Sequence, residues 1–99
     1  IFTSGQIPLN PETGLIVSED IEKQIIQVLD NIESILISEQ LNFSNILKLN
    51  VYLTDLNDFT LLNNIFIDRF ESEFPARSVV QVSKLPKDSK IEIDTICFK

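Results

Sequence analysis

The chain contains no histidine, the residue on which many catalytic and metal-binding arrangements depend. Without an imidazole there is no Ser-His-Asp or Cys-His arrangement and no histidine ligand for a metal. Gly5 and Gly14 are the only glycines, so a glycine-rich phosphate-binding loop is also absent. Carboxylates, an arginine, amides and backbone groups remain as candidates for chemistry, and we expect neither a metal nor a cofactor.

Cysteine and long apolar runs are equally scarce. Cys97 is the only cysteine, so no disulfide can form within the chain, which fits a reducing compartment. We expect Cys97 to be a buried structural thiol, because no histidine is present to activate it. No apolar run approaches the roughly 20 residues that cross a bilayer. These absences favour a cytoplasmic protein without membrane contact. Because the sequence does not begin with methionine, an organellar protein is the alternative expectation.

Basic residues are too few to favour a nucleic-acid partner. Acidic residues outnumber basic ones by 15 to 8, which gives a net charge of −7. Such a surface repels polyanions. The only basic cluster, Lys84, Lys87 and Lys90, encloses Asp88 and is typical of a solvated turn.

The hydrophobic pattern predicts one domain that spans residues 1–99, with the element order ββ-α-β-α-ββ. The first helix is expected from an N-cap at Ser18 to about residues 38–40, and the second carries the stripe Phe59, Leu62, Phe66 and Phe70. The strands are expected at residues 1–7, 15–17, 46–53, 77–82 and 90–98, with turns at 8–14 and 85–89.

This order predicts an α+β fold, a two-layer sandwich with two helices on one face of a mostly antiparallel sheet. Alternation places Leu47, Leu49, Val51 and Leu53 on the side that meets the helices. The opposite face mixes apolar residues with charges. A subunit interface that contains polar pockets is the simplest account of that face.

Arg77 is the first candidate functional residue. It follows Pro75 and begins an apolar strand, where a guanidinium is suited to binding a carboxylate through two parallel hydrogen bonds. The alternative is an ion pair between Arg77 and a protein acid at a subunit contact. The strand pattern by itself slightly favours this alternative.

The other candidates are one acid and two short polar sites. Glu92 lies between Ile91 and Ile93, where a carboxylate could act as a general base. The strand pattern by itself favours an ordinary outward-facing residue, and Asp94 on the same face could equally be the important acid. Weaker candidates are the segment Ser4, Gly5 and Gln6, where glycine permits a close approach, and Asn63 on the second helix.

Five segments in register resemble the Rid family, the reactive intermediate deaminases that are also called YjgF-like. They are Phe2 to Pro8, Asn10 to Gly14, Val51 to Phe59, Phe74 to Ser78, and Leu85 to Lys87 followed by Ile91 to Asp94. The resemblance covers essentially the whole chain.

The resemblance implies a chorismate-mutase-like fold and a homotrimer with helices outside a central barrel and sites in three intersubunit clefts. It also implies hydrolysis of 2-aminoacrylate and 2-iminopropanoate to 2-oxo acids and ammonia, without a cofactor or metal. By position, Arg77 matches the arginine that binds the substrate carboxylate, and Glu92 matches the glutamate that positions or activates water. Gly5 matches a glycine that lines the cleft, with Ser4 and Gln6 beside it, and Asn63 matches a helix asparagine near the site in some members.

The chain also departs from the family pattern. The family's N-terminal segment, which carries a site tyrosine, has no match here, and Val79 stands where many members carry cysteine. The alternative expectation is therefore a non-catalytic trimer that binds a small carboxylate metabolite, such as a 2-oxo acid, and signals to a partner protein.

Overall fold

The computed structural model describes residues 1–99, and its main elements are two α-helices and three β-strands. In chain order they are α1 (Ile21–Ser38), β1 (Ile46–Leu53), α2 (Phe59–Phe70), β2 (Ala76–Gln81) and β3 (Ile91–Cys97). Both predicted helices and the three later predicted strands are confirmed, with strand ends that differ from the prediction by one residue at most.

The sheet is mixed and has the strand order β2-β1-β3. β1 and β2 are parallel, because α2 carries the chain back across the sheet between them, whereas β1 and β3 are antiparallel. Further antiparallel pairing comes from the N-terminal segment, which forms bridges between Phe2 and Ile96 and between Gln6 and Ile93 along the outer edge of β3. The two-layer α+β fold is confirmed.

The N-terminal hairpin is less regular than predicted. The two expected strands are reduced to isolated bridges, and Leu9 pairs with Ile16 across the turn. Pro8 and Pro11 have no N–H to donate, so a continuous ladder cannot form through them. Gly14 closes the turn at φ +70°, a conformation that favours glycine.

Both helices cover one face of the sheet. The core combines apolar side chains from four of the five elements, among them Ile25, Leu29 and Ile32 of α1, Leu62 and Phe66 of α2, Leu49 and Val51 of β1, and Ile91 and Ile93 of β3. The half-buried Val79 of β2 packs against this core. Cys97 is buried in this core, as expected. Neither helix combines the length and the apolar character that a membrane crossing requires.

Two local predictions were wrong. The side chain that caps α1 is Asp20, which accepts a hydrogen bond from the Lys23 amide, whereas Ser18 lies outside the helix and accepts one from the Asp20 amide. The pairing of β1 with β3 shifts register between Ile46 and Lys48, and this irregularity leaves Leu47 52% exposed while Ile46 is buried. The strict alternation assumed for β1 therefore fails at its first two residues.

Candidate functional site

Arg77 lies on the helix-covered face of the sheet, near the start of β2. It pairs in register with the buried Leu49 of β1, and its side chain is half-buried. The guanidinium carbon lies 5.3 Å from the ring centroids of both Phe59 and Phe66. These rings are seven residues apart, about two helical turns, so α2 presents both on one face. The guanidinium is thus held against two aromatic faces by cation–π contacts.

No carboxylate of the chain neutralises Arg77. The four ion pairs of the molecule all involve other bases, namely Arg69, Lys84 and Lys99. Burial lowers the pKa of Arg77 from its ordinary value, and burial is the only cause of the shift. The alternative expectation of an ion pair with a protein acid is thus not met within one chain. A partly desolvated cation without a partner is suited to binding an anion from outside.

A cavity of about 440 Å³ opens beside this arginine. It is bounded by Leu49, Asn63, Phe66, Ile67, Phe74, Pro75 and Arg77. Asn63 lies between the two stacking phenylalanines along α2, and its side-chain amide makes no hydrogen bond within the chain. The cavity therefore combines a cation and a free amide with apolar walls, which is the usual composition of a small-molecule site.

Glu92 lies on the opposite face of the sheet. Its neighbours Ile91 and Ile93 are buried under the helices, so strand alternation directs Glu92 to the open face, where it pairs in register with Tyr52. Its carboxylate has no hydrogen-bond partner in the chain. A Cβ atom at Gly5 would lie only 2.9 Å from the Glu92 carboxyl carbon, so any side chain at Gly5 would displace this carboxylate. The absence of a side chain at Gly5 therefore allows the close approach.

The residues Ser4–Gln6, here called the site loop, form a bulge beside Glu92. Thr3 donates its amide to the Thr95 carbonyl at 3.0 Å, and Gln6 and Ile93 exchange two backbone hydrogen bonds of 2.8 and 3.0 Å. Between these contacts the N-terminal segment advances three residues, from Thr3 to Gln6, while β3 covers only two, from Thr95 to Ile93. The N-terminal segment therefore contains one extra residue. The side-chain amide nitrogen of Gln6 donates hydrogen bonds to the carbonyl and hydroxyl oxygens of Ser4, both at 3.3 Å.

The predicted site residues thus form two groups within one chain. Asn63 joins Arg77 on the helix-covered face, and Gly5 of the site loop lies against Glu92 on the open face. Gln6 of the same loop pairs with the buried Ile93 and lines a small cavity beside α1. Arg77 aligns with Leu49, and Leu49 aligns with Thr95, which is three residues from Glu92. An odd separation along a strand means opposite faces. One chain therefore does not bring Arg77 and Glu92 together, and a site with both needs a second copy of the chain.

Asp94, the alternative acid, is already engaged. It accepts a hydrogen bond from the Asn50 amide at 2.8 Å and a longer one from the Tyr52 hydroxyl at 3.4 Å. The Asp94 charge is the main cause that raises the pKa of Tyr52, with contributions from burial and Glu92. Glu92 is free of such partners and is the better placed of the two acids to hold water.

Sequence reasoning treated Phe59 and Phe66 only as part of a core stripe, and missed their contact with Arg77. The available signal was their spacing. The two aromatic residues lie two turns apart on a helix, and the next predicted strand along the chain begins with an arginine.

Comparison with known proteins gives a single family. The sequence profile of the family described as Endoribonuclease L-PSP matches residues 1–99. A 2-iminobutanoate/2-iminopropanoate deaminase of Salmonella typhimurium is 43% identical over 102 residues, which cover 100% of this chain and 79% of that protein.

Solved structures agree with this assignment. The Rid-family protein YyfA of Yersinia pestis, a protein of unknown function, superposes with a TM-score of 0.94 at 44% identity, over 97% of this chain and 77% of that one. TdcF of Escherichia coli with bound serine has a TM-score of 0.90 at 42% identity, over 99% and 79% of the two chains. The chain therefore belongs to the Rid family of YjgF-like proteins, whose sequence profile carries the description Endoribonuclease L-PSP.

Proposed function

We propose that this protein hydrolyses reactive enamine and imine acids, such as 2-aminoacrylate and its tautomer 2-iminopropanoate, to 2-oxo acids and ammonia. The single observation that carries the proposal is Arg77, a half-buried guanidinium without a carboxylate partner in the chain, at the wall of a cavity. The deaminase of Salmonella typhimurium supports the reaction class, because it shares 43% of its aligned residues with this chain.

Arg77 would bind the substrate carboxylate. A charge-assisted hydrogen bond contributes about 1.5–3 kcal/mol, and two parallel bonds also fix the orientation of the acid. Phe59 and Phe66 hold the guanidinium carbon at 5.3 Å from each ring centroid, so little conformational freedom is left to lose on binding. Asn63 would contribute its unused amide to the same ligand.

Glu92 would position water for attack on the imine carbon. The water oxygen adds to the carbon of the C=N bond, the glutamate accepts a proton from that water, and the electron pair of the C=N bond moves to nitrogen. The glutamate then returns this proton to nitrogen, which gives a carbinolamine with one hydroxyl and one amino group. In a second transfer the glutamate accepts the hydroxyl proton and passes it to the amino nitrogen, the C–N bond breaks, and ammonia leaves as the C=O bond forms. An imine carbon is already electrophilic, so a positioned base worth roughly 10²–10⁴-fold in rate suffices without a metal or cofactor.

The two groups would meet only between subunits. Because Arg77 and Glu92 lie on opposite faces of the sheet, the proposed site pairs Arg77 of one copy with Glu92 and the site loop of the next. We propose a homotrimer with three such clefts, in which the open sheet face is the subunit contact. That face carries the exposed Val80 beside polar side chains, as a contact with polar pockets requires.

Mixed assemblies test both the reaction and the shared site. We expect the wild-type protein to hydrolyse freshly generated 2-iminopropanoate, and Arg77→Ala and Glu92→Gln each to lose most of this activity. Refolding the two variants together should restore activity, because some clefts receive Arg77 from one subunit and Glu92 from its neighbour. Random mixing would make about a quarter of the clefts complete.

Two results would contradict the proposal at different points. Normal turnover by Arg77→Ala would sink the role of the arginine. Mixed assemblies as inactive as the single variants would show that each site belongs to one chain.

A second candidate is a non-catalytic protein that binds a small carboxylate metabolite. It is favoured by the relative TdcF, whose solved structure contains bound serine, a small molecule with a carboxylate. Calorimetry with 2-oxo acids distinguishes the two functions. Binding that requires Arg77, in a protein that leaves imines unchanged, would favour the binder.

RNA cleavage is the activity printed in the family description. The net charge of −7 opposes tight binding of a polyanion, so we propose no nucleic-acid partner. RNA binding that weakens steeply with salt would contradict this part of the proposal.

A further inference from the structure

Asn31 on α1 binds the chain just after the site loop. Its amide nitrogen donates to the Leu9 carbonyl at 3.0 Å and approaches the Ile7 carbonyl at 3.5 Å. Its amide oxygen accepts a hydrogen bond of 2.8 Å from Gln27, one turn earlier on the same helix. The side chain is half-buried, and both ends of its amide are occupied.

Residues 7–9 follow the last bridge to β3, that of Gln6 with Ile93. Beyond that bridge they bond within the N-terminal hairpin, where Leu9 pairs with Ile16 and Val17 donates to the Pro8 carbonyl at 3.0 Å. The Asn31 amide supplies the hydrogen bonds that link this segment to α1. The path of the chain at Ile7 determines how Gln6, and with it the site loop, lies on β3.

The position of the site loop governs where the Glu92 carboxylate can lie. Gly5 is so close to Glu92 that even an added Cβ would overlap the carboxylate. A shift of the loop would therefore move the flexible end of the Glu92 side chain. Small misplacements of groups in a reacting geometry are costly in rate.

We propose that Asn31, supported by Gln27, is a positioning residue that holds the site loop against Glu92 and so sets the geometry for water attack without touching the substrate. This inference rests on the proposed function, because it assigns a rate effect to the Glu92 group. It predicts that the defect of an Asn31 variant appears in the chemical step. Binding of the carboxylate by Arg77, on the other face of the sheet, should be unaffected.

The variant Asn31→Asp tests this, because it keeps the size of the side chain but replaces the donor by an acceptor that faces two carbonyl oxygens. Its matched control is Ser34→Ala. Ser34 lies three residues further along α1, lines the same small cavity as Asn31, and makes no side-chain hydrogen bond. For 2-iminopropanoate we expect kcat of Asn31→Asp to fall about tenfold with KM nearly unchanged, and Ser34→Ala to behave as wild type.

Amide hydrogen exchange gives a readout that does not need activity. The Gln6 amide, bonded to the Ile93 carbonyl at 2.8 Å, should exchange faster in Asn31→Asp, while the Val51 amide in the central strand should not. If wild-type protein hydrolyses no imine, the proposed function fails but this measurement still decides whether Asn31 holds the loop.

Gln27→Ala keeps the test usable if Asn31→Asp folds poorly. It leaves Asn31 in place and removes only its support, so a smaller change of the same kind is expected in kcat and in exchange at Gln6. Unchanged kcat in the folded variants together with a lower Tm would assign Asn31 a purely structural role and overturn the inference. Unchanged exchange at Gln6 would overturn it as well.

Discussion

The two arginines of the chain have similar aromatic neighbours and opposite electrostatic surroundings. Arg69 lies 5.3 Å from the Phe43 ring and pairs with Asp30 at 2.9 Å and with Glu33 at 3.8 Å. Arg77 lies at the same distance from two rings but has no acid beside it. Arg69 connects α2 to α1, so its charge is used within the fold, whereas that of Arg77 is left available.

This difference separates a structural arginine from a binding one. A charge that is withdrawn from water without a partner costs stability, and proteins keep such charges where function needs them. Stacking on aromatic rings alone does not distinguish the two residues. The presence or absence of a carboxylate distinguishes them, and the predictions below alter that carboxylate environment.

The largest effect is expected from giving Arg77 an acid of its own. Asn63 shares the cavity with Arg77, so Asn63→Asp would place a carboxylate where the ligand carboxylate is expected. We predict a higher Tm and a loss of 2-oxo acid affinity of about 10–100-fold, the equivalent of one charge-assisted hydrogen bond. Calorimetry and thermal unfolding measure the two changes.

Asn64→Asp is the matched control for this variant, because it makes the same charge change at the next, exposed position of α2. It should leave affinity nearly unchanged. Equal losses in both variants would mean that overall charge, and not the contact with Arg77, governs binding.

The sequence allowed the elements to be predicted, because hydrophobic periodicity is a local property, and the order of its motifs supplied the candidate site residues. It also placed Arg77 and Glu92 on strands whose residues alternate between the two faces of the sheet. Whether they share a face could not be read locally, because it depends on the register that aligns Leu49 with both Arg77 and Thr95. The register shift that exposes Leu47 was hidden for the same reason.

The partners of polar side chains were also beyond local reasoning. The Asn31 contact joins residues 22 and 24 positions apart, and the hydrogen bond between Asn50 and Asp94 joins residues 44 positions apart. Both depend on how the elements pack. Asn31 was therefore not among the predicted residues, although it lies on the polar side of the correctly predicted helix.

A smaller effect is expected from removing each arginine in turn. Arg69→Met should lower the free energy of unfolding by about 1 kcal/mol, because it removes a partly exposed ion pair and a cation–π contact. Arg77→Met should change stability less, because it loses two cation–π contacts but no ion pair, and it removes a partly buried charge that has no acid beside it. Urea unfolding of both variants measures the difference. A similar loss for both would break the distinction between the two arginines.

The smallest effect concerns Asp58, which precedes Phe59 at the Arg77 end of α2. Burial, with a contribution from the Asp55 charge, raises the pKa of Asp58 above its ordinary value of 3.8, against a smaller opposing effect of Lys90. The folded protein therefore binds this proton more tightly than the unfolded chain. The stability from protonation is present below pH 3.8 and is lost as the pH rises through the raised pKa.

Asp58→Asn cannot ionise, so its Tm should exceed that of the wild type slightly at neutral pH, and the difference should vanish as the pH falls below 3.8. The control is Asp68→Asn, an exposed acid of the same helix without an ion pair, whose Tm should follow the wild type at every pH. Asp30 and Glu33 form ion pairs with Arg69, whereas ionised Asp58 should destabilise the N-terminal end of α2. A Tm difference for Asp58→Asn that grew towards acid pH would reverse the sign and show that its charge is stabilising there.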